Sequence, residues 1–289
     1  MASRKIRLNQ TVNGATLYHY TKSNGINGII NHNCFWATKS DFLNDPNEFF
    51  HIKGIIEKVV TEYIEDENLR DMFLKDVMKE SGFIINPKQQ DYFVLSFSSC
   101  RDSITMWSEF GNKTGYNIGL ESEEITRRIK ESNQIEFHGF VIYEEEQQKK
   151  IIAQVIEEYI PKQAGKDLNE ILIKGAKNRE NEEYVTACKK FVDITSVYAM
   201  FFKNEAFKEA QEYRFVFKKQ KTTRVHFREK DGFMIPYIEI QLSDELLPVK
   251  EIMVAPQNHI DLAKNGMEYM MQTKGYDVDV HLSDIKLRY

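Results

Sequence analysis

The residues best suited to chemistry stand in a few short segments. FKNEAFKEAQEYRFVF carries Glu212 two residues before Arg214. On a strand that spacing sets both on one face, with Gln211, Tyr213 and Phe215 on the other. A carboxylate kept ionised by a guanidinium can stabilise positive charge that develops on a substrate. LYHYT sets His19 and Thr21 on one face of a strand and Tyr18 and Tyr20 on the other, so a neutral imidazole and a hydroxyl can offer hydrogen bonds together. Trp36 and Thr38 follow in CFWATKS, then Asn44, Asp45 and Glu48 in LNDPNEF, and Ser96 and Ser98 in YFVLSFSS ahead of Met106 and Trp107. Each segment also has a plain structural reading: a satisfied core histidine, a helix cap, a half-exposed strand with a core tryptophan, and a surface ion pair worth under about 1 kcal/mol.

Other chemistry finds little support. No phosphate-binding glycine loop, dinucleotide fingerprint, HExxH helix or GxSxG elbow occurs, and seven histidines are scattered without metal-ligand spacing, so no metal is expected. Cys34, Cys100 and Cys188 lie far apart, which disfavours a zinc site and a disulfide framework. The net charge of −5 and a pI near 5.9 argue against a broad non-specific grip on nucleic acid. MASRKIRLNQTVNG lacks the apolar stretch of a secretory signal, and the longest apolar run, VYAMFF, is far short of the roughly 20 residues that span a bilayer. The expectation is a soluble, cytoplasmic protein with no membrane partner.

The elements that must position these residues follow from periodicity. With 289 residues, 42% of them hydrophobic, the chain can bury a sizeable core. Strands are expected at ATLYHYT, CFWATKS, DYFVLSFSS and GYNIGLE, near 136–143, and at QEYRFVFKK, MIPYIEIQL, EIMVAP and DVDVHL. SNGINGIINHN reads as a short helix, and DSITMWSEFG, 122–133 and 258–273 as others. In LNDPNEF, Asp45 as N-cap, Pro46 and Glu48 make a capping-box start for a helix, and helical signals run on through about residue 81. The charged stretch from 145 to 205 reads as helical and insertion-like, with a loop or solvated face at KNRENEE. Strands at both ends with helices between them describe an α+β fold on a mostly antiparallel sheet, in one domain over 1–289 with helical insertions at about 50–86 and 145–205.

Taken in order, LYHYT, FWAT, LNDPNEF, YFVLSFSS, MWSEFG, FFKNEAFKEAQEYRFVF and the terminal SDIKLR resemble the bacterial family catalogued as domain of unknown function twenty-nine seventy-one, from about residue 16 to the C-terminus. That family is similar to the ADP-ribosyltransferase superfamily, in the branch of toxins and anti-phage effectors that modify nucleic acids. The resemblance implies a split, mostly antiparallel sheet around NAD as co-substrate, with His19 in the first-strand role, Trp36, Thr38 and Ser96 as middle-strand candidates and Glu212 as the catalytic glutamate. Tyr20, Thr21, Trp107 and Arg214 complete the implied NAD-binding set, and Asn44, Asp45 and Glu48 are placed at the acceptor. The chain departs from better-known members in two ways: no clean YxxxY follows the second strand, and Gln211 adjoins Glu212, with Glu209 three residues earlier, in place of a QxE or ExE spacing.

The implied function is mono-ADP-ribosylation of a macromolecule, RNA or DNA ahead of protein, by a toxin or defence effector with a possible neutralising antitoxin. Loss of neutral nicotinamide needs no general acid. One ionised carboxylate on a ribose hydroxyl suffices to stabilise the oxocarbenium-like transition state. The alternatives are an NAD glycohydrolase that depletes NAD, and a non-catalytic module that binds a nucleotide or a partner.

Overall fold

A computed structural model describes residues 8–43, 48–80, 91–111, 114–132, 135–160, 166–230, 232–242, 245–256 and 260–286. The protein is mixed α/β with a mostly antiparallel sheet, and its residues gather into two compact units. Among the described residues, one unit comprises those within 40–91 and 141–207, and the other those within 8–39, 92–140 and 208–286.

The first unit holds helices Glu48–Tyr63, Glu67–Glu80, Glu145–Gln154, Leu168–Lys177 and Glu182–Tyr198. Ile52, Ile55, Ile56, Val59 and Val60 are fully buried, the apolar stripe expected of an amphipathic helix, and Phe73 meets Phe191 edge to face at 5.3 Å. At one polar centre the buried Gln148 amide donates to Ile142 O at 2.6 Å and Lys203 O at 3.0 Å. Its oxygen must then accept the 2.8 Å bond from His51 Nε2. KNRENEE is a tight, anchored turn: Asn181 caps the last of these helices on Tyr184 N, and Arg179 pairs with Asp76 at 2.7 Å.

The second unit carries the ten strands β1 (Thr16–Thr21), β2 (Cys34–Lys39), β3 (Tyr92–Ser98), β4 (Tyr116–Glu121), β5 (Ile135–Phe140), β6 (Glu212–Lys218), β7 (His226–Lys230), β8 (Phe233–Gln241), β9 (Val249–Val254) and β10 (Asp279–Leu282). All the pairings between them are antiparallel except that of β9 with β10. The centre is β3. Along one edge it pairs with β6 over its whole length, from Tyr92 with Lys218 to Ser98 with Glu212. Along the other, β1 takes only Ser98, and β2 only Val94 and Phe93. The sheet is therefore split: β1 and β2 hold opposite ends of one edge, and Leu95 to Phe97 face a gap in the ladder.

Strand alternation sorts the two faces. Leu17, Phe35, Ala37, Phe93, Leu95, Phe97, Phe215 and Ile252 build the larger core. It is covered by the helix Ser23–His32 through Ile26, Ile29 and Ile30, by Ser122–Ser132 through Ile125 and Ile129, and by Ile260–Thr273 through Met267 and Met271. Tyr18, Tyr20, Met106, Trp107 and Met253 form a smaller cluster on the other face. A Cβ on Gly25 would stand 2.0 Å from Thr21 Oγ1, so glycine is required where the first helix meets its own strand. β7 was not expected from the sequence, and it proves to be the hairpin partner of β8, with His226 opposite Tyr237 and Arg228 opposite Ile235.

Candidate functional site

The gap between β1 and β2 is filled by His19. In an unbroken ladder Ser96 O would take a backbone N–H; here it lies 3.0 Å from His19 Nδ1. A carbonyl only accepts, so Nδ1 carries the proton and Nε2 is an acceptor. The ring packs against Phe35 at 5.3 Å and Phe97 at 5.5 Å, and keeps partial exposure. Burial lowers its pKa to about 4; the Ser96 carbonyl acts the other way and the charge of Arg228 adds to the lowering. His19 is thus a neutral, oriented imidazole with one acceptor nitrogen.

Beside the gap, Trp36 and Thr38 of β2 face Glu239 and Tyr237 of β8. Trp36 is 44% exposed although it stacks on Tyr237 at 4.3 Å, with the Arg228 guanidinium over its ring at 5.9 Å. Arg228 Nη2 donates to Thr38 Oγ1 at 2.9 Å. Its Nε is buried without a partner, no carboxylate among the described residues reaches it, and burial pulls its pKa down from the ordinary guanidinium range. Thr21 lies against Gly25, so its hydroxyl belongs to the junction of strand and helix.

Glu212 and Arg214 start β6. They are 7% and 1% exposed, and Arg214 donates to Glu212 Oε2 from Nε at 2.9 Å and from Nη2 at 2.7 Å. β6 lies between β3 and β5, so the surface ion pair that was one reading of these residues is in fact buried. Their approach is clamped. Gln211 is left-handed with φ 41°, Ser99 N bonds Gln211 O at 3.1 Å, Ser99 Oγ bonds its amide at 2.8 Å, and Ser98 Oγ donates to Ala210 O at 2.7 Å. The serines of YFVLSFSS therefore anchor the entry to the glutamate strand.

The register places these groups in order. Tyr18, Ser98 and Glu212 form one row across β1, β3 and β6, so they share a face, and their outer Cα atoms are roughly 10 Å apart at the usual strand spacing. His19 is one residue along from Tyr18, and its side chain starts toward the opposite face. Ser96 meets it through its carbonyl, while the Ser96 side chain belongs to the Glu212 face by strand parity.

Two expected ligand contacts are occupied by packing. Trp107 is 1% exposed, donates Nε1 to Asp102 at 2.6 Å and meets the edge of Tyr20 at 4.6 Å. Tyr20 is itself buried, with its hydroxyl on Cys100 O at 2.9 Å. Asp102 also holds Ser283 Oγ at 2.8 Å and Asp284 N at 2.8 Å, which anchors the first two residues of SDIKLR. Asn44 and Asp45 lie outside the described residues, as does the Glu48 side chain. Arg228 and Tyr237 escaped the sequence reading; the polar alternation of HFREK was the available signal.

The fold and site define a mixed α/β protein whose antiparallel sheet is split around a neutral histidine, with a buried carboxylate and guanidinium on the strand next to the gap. Residues 106–215 match the family described as Protein of unknown function (DUF2971), a stretch that runs from Met106 through Glu212 and Arg214 and supports the resemblance over those residues. No match was found among curated proteins or solved structures. Among the described residues no group of His, Cys, Asp and Glu is placed to hold a metal, and no helix is long and apolar enough to cross a membrane.

Proposed function

We propose that the protein is an ADP-ribosyltransferase-like enzyme that consumes NAD and transfers ADP-ribose to a macromolecule. The observation that carries the reading is the opening in the antiparallel sheet, where neutral His19 is held by Ser96 O and Glu212 stands on the strand paired with that same β3. The residues suit the dinucleotide. Trp36 and Glu212 share a face by strand parity, where Trp36 offers an exposed aromatic surface and Glu212 accepts from a ribose hydroxyl, while His19, whose side chain starts toward the opposite face, serves the ligand through the gap with Nε2 as acceptor. In the reaction the bond between C1′ and the nicotinamide nitrogen breaks, its electron pair leaves with nicotinamide, and the acceptor bonds C1′ as it loses a proton. A fixed carboxylate lowers the energy of the cationic sugar in between. RNA or DNA is the preferred acceptor class, in the setting of a toxin or defence effector with an antitoxin partner.

The test incubates the protein with NAD labelled on its adenylate, with and without RNA, DNA or lysate protein, and follows nicotinamide release and the label. Label on a macromolecule supports transfer, and free ADP-ribose in every mixture replaces transfer with glycohydrolysis. No nicotinamide release leaves a binding module. Glu212→Gln is expected to lower release by roughly a hundredfold or more, in line with removal of one electrostatic stabiliser; full activity in that variant overturns its role.

A further inference from the structure

Arg228 is the described cation whose environment is least explained by the fold. Burying a guanidinium is costly unless its donors and charge are met. Arg127, Arg128, Arg101, Arg179 and Arg214 all pair with carboxylates. Arg228 has the Thr38 hydroxyl, the Trp36 ring and a buried Nε without a partner. Its own hairpin does not explain it either. Glu229 of β7 bonds Gly232 N at 2.7 Å, and Glu239 of β8 lies 4.0 Å from His226. Carboxylates are therefore present within the same two strands, yet none among the described residues meets the guanidinium.

The surroundings state what the missing partner looks like. It is an anion, because Arg228 is a fixed cation with donors to spare, and a guanidinium fork suits the oxygens of a phosphate. It carries an aromatic ring, because Trp36 beside it keeps 44% of its surface exposed while Tyr237 supports it from behind at 4.3 Å, and His226 stacks on Tyr237 at 5.5 Å. It approaches the gap in the sheet, because Arg228 Nη2 bonds Thr38, the β2 residue paired with Val94 at the end of the gap. We propose that Arg228 is the phosphate-binding residue of this opening and that Trp36 stacks on the base, so that the site takes a nucleotide with a phosphate on its ribose. This rests on the reading above insofar as the nucleotide is the ADP portion of NAD. Its geometric basis, the uncompensated guanidinium beside an exposed indole, is independent of turnover.

The test is isothermal titration of the full chain with ADP, adenosine and NAD, on the wild type and on Arg228→Gln, Arg228→Lys and Trp36→Ala, each checked for a native melting transition. The wild type is expected to bind ADP saturably and to prefer it over adenosine. Arg228→Gln should weaken ADP by roughly ten- to a hundredfold and leave adenosine nearly unchanged, so that the preference collapses. Trp36→Ala should weaken ADP and adenosine alike, by roughly tenfold, as expected for loss of one stacked base. Lysine keeps the charge without the fork, so Arg228→Lys should fall between the wild type and glutamine; it also carries the test if Arg228→Gln fails to fold. No saturable ADP binding, or an unchanged preference for ADP over adenosine in the Arg228 variants, overturns the proposal. ADP binding that depends on Arg228 in a protein that releases no nicotinamide leaves this inference standing and removes the enzymatic one. NAD turnover that is indifferent to Arg228 does the reverse.

Discussion

Acidification combined with His19→Asn probes the group on which the site is built. In the folded protein His19 has its pKa lowered to about 4 by burial, against 6.5 for the free side chain. The unfolded chain therefore binds the proton first, and stability rises with pH between those values. His19 imposes almost no penalty above about pH 7.5; as the pH falls from there to about 5 it removes about 2 kcal/mol, and the full difference of about 3 kcal/mol is reached below about pH 4. His138 behaves alike. It is 1% exposed, burial lowers its pKa to about 4, Nδ1 donates to Tyr213 OH at 2.7 Å, and Nε2 is buried without a partner. Together the two remove about 4 kcal/mol by about pH 5, a large share of the roughly 5–15 kcal/mol available to a folded protein. Asparagine at 19 is the informative replacement, since its amide nitrogen can reach Ser96 O in place of Nδ1 while adding no titrating group. Urea unfolding followed by circular dichroism across this range should show the gap between the two proteins narrow by about 2 kcal/mol toward about pH 5, because only the wild type pays for protonating His19. Parallel stability curves for wild type and His19→Asn would refute the claim that His19 is held neutral by burial.

Further outcomes follow from close packing. Gly25→Ala brings a Cβ to 2.0 Å from Thr21 Oγ1 and should destabilise by about 1–3 kcal/mol. Thr21→Ala in the same chain should restore part of that loss, read as coupling in a double-mutant cycle. Ser98→Ala removes the bonds to Ala210 O and from Cys100 N; with both groups left unmet the cost is about 1–3 kcal/mol by urea unfolding. Arg214→Gln breaks the buried pair with Glu212 and should cost about 3–5 kcal/mol, more than any exposed ion pair of the chain.

Much of the fold was legible because strand parity is a local property. LYHYT, YFVLSFSS and QEYRFVF each show which side chains share a face, and β1, β3 and β6 follow those assignments. HFREK was missed because β7 exposes Phe227, Glu229 and Lys230. A hairpin edge with little apolar alternation looks like a loop until β8 is placed beside it. Trp107 was ambiguous for the opposite reason: a tryptophan beside serines fits a ligand pocket as well as a core, and only the enclosure by Tyr20 and the bond to Asp102 distinguish them.

By itself the sequence determined which residues can alternate, cap and pair, since these depend on neighbours one to four positions away. It could name His19 and Glu212 as candidates, but it could not place them, because their relation passes through a third strand more than 70 residues from the histidine and more than 100 from the glutamate. Only the tertiary structure decided that β1 and β2 grip opposite ends of one edge of β3, that the resulting gap is filled by an imidazole, and that Arg228 stands beside it on Thr38 with no carboxylate among the described residues. The physical reason is that hydrogen-bond satisfaction and charge compensation are accounts of the whole fold. Ser96 O and the Arg228 guanidinium acquire their significance from partners that the chain brings, or fails to bring, from far away.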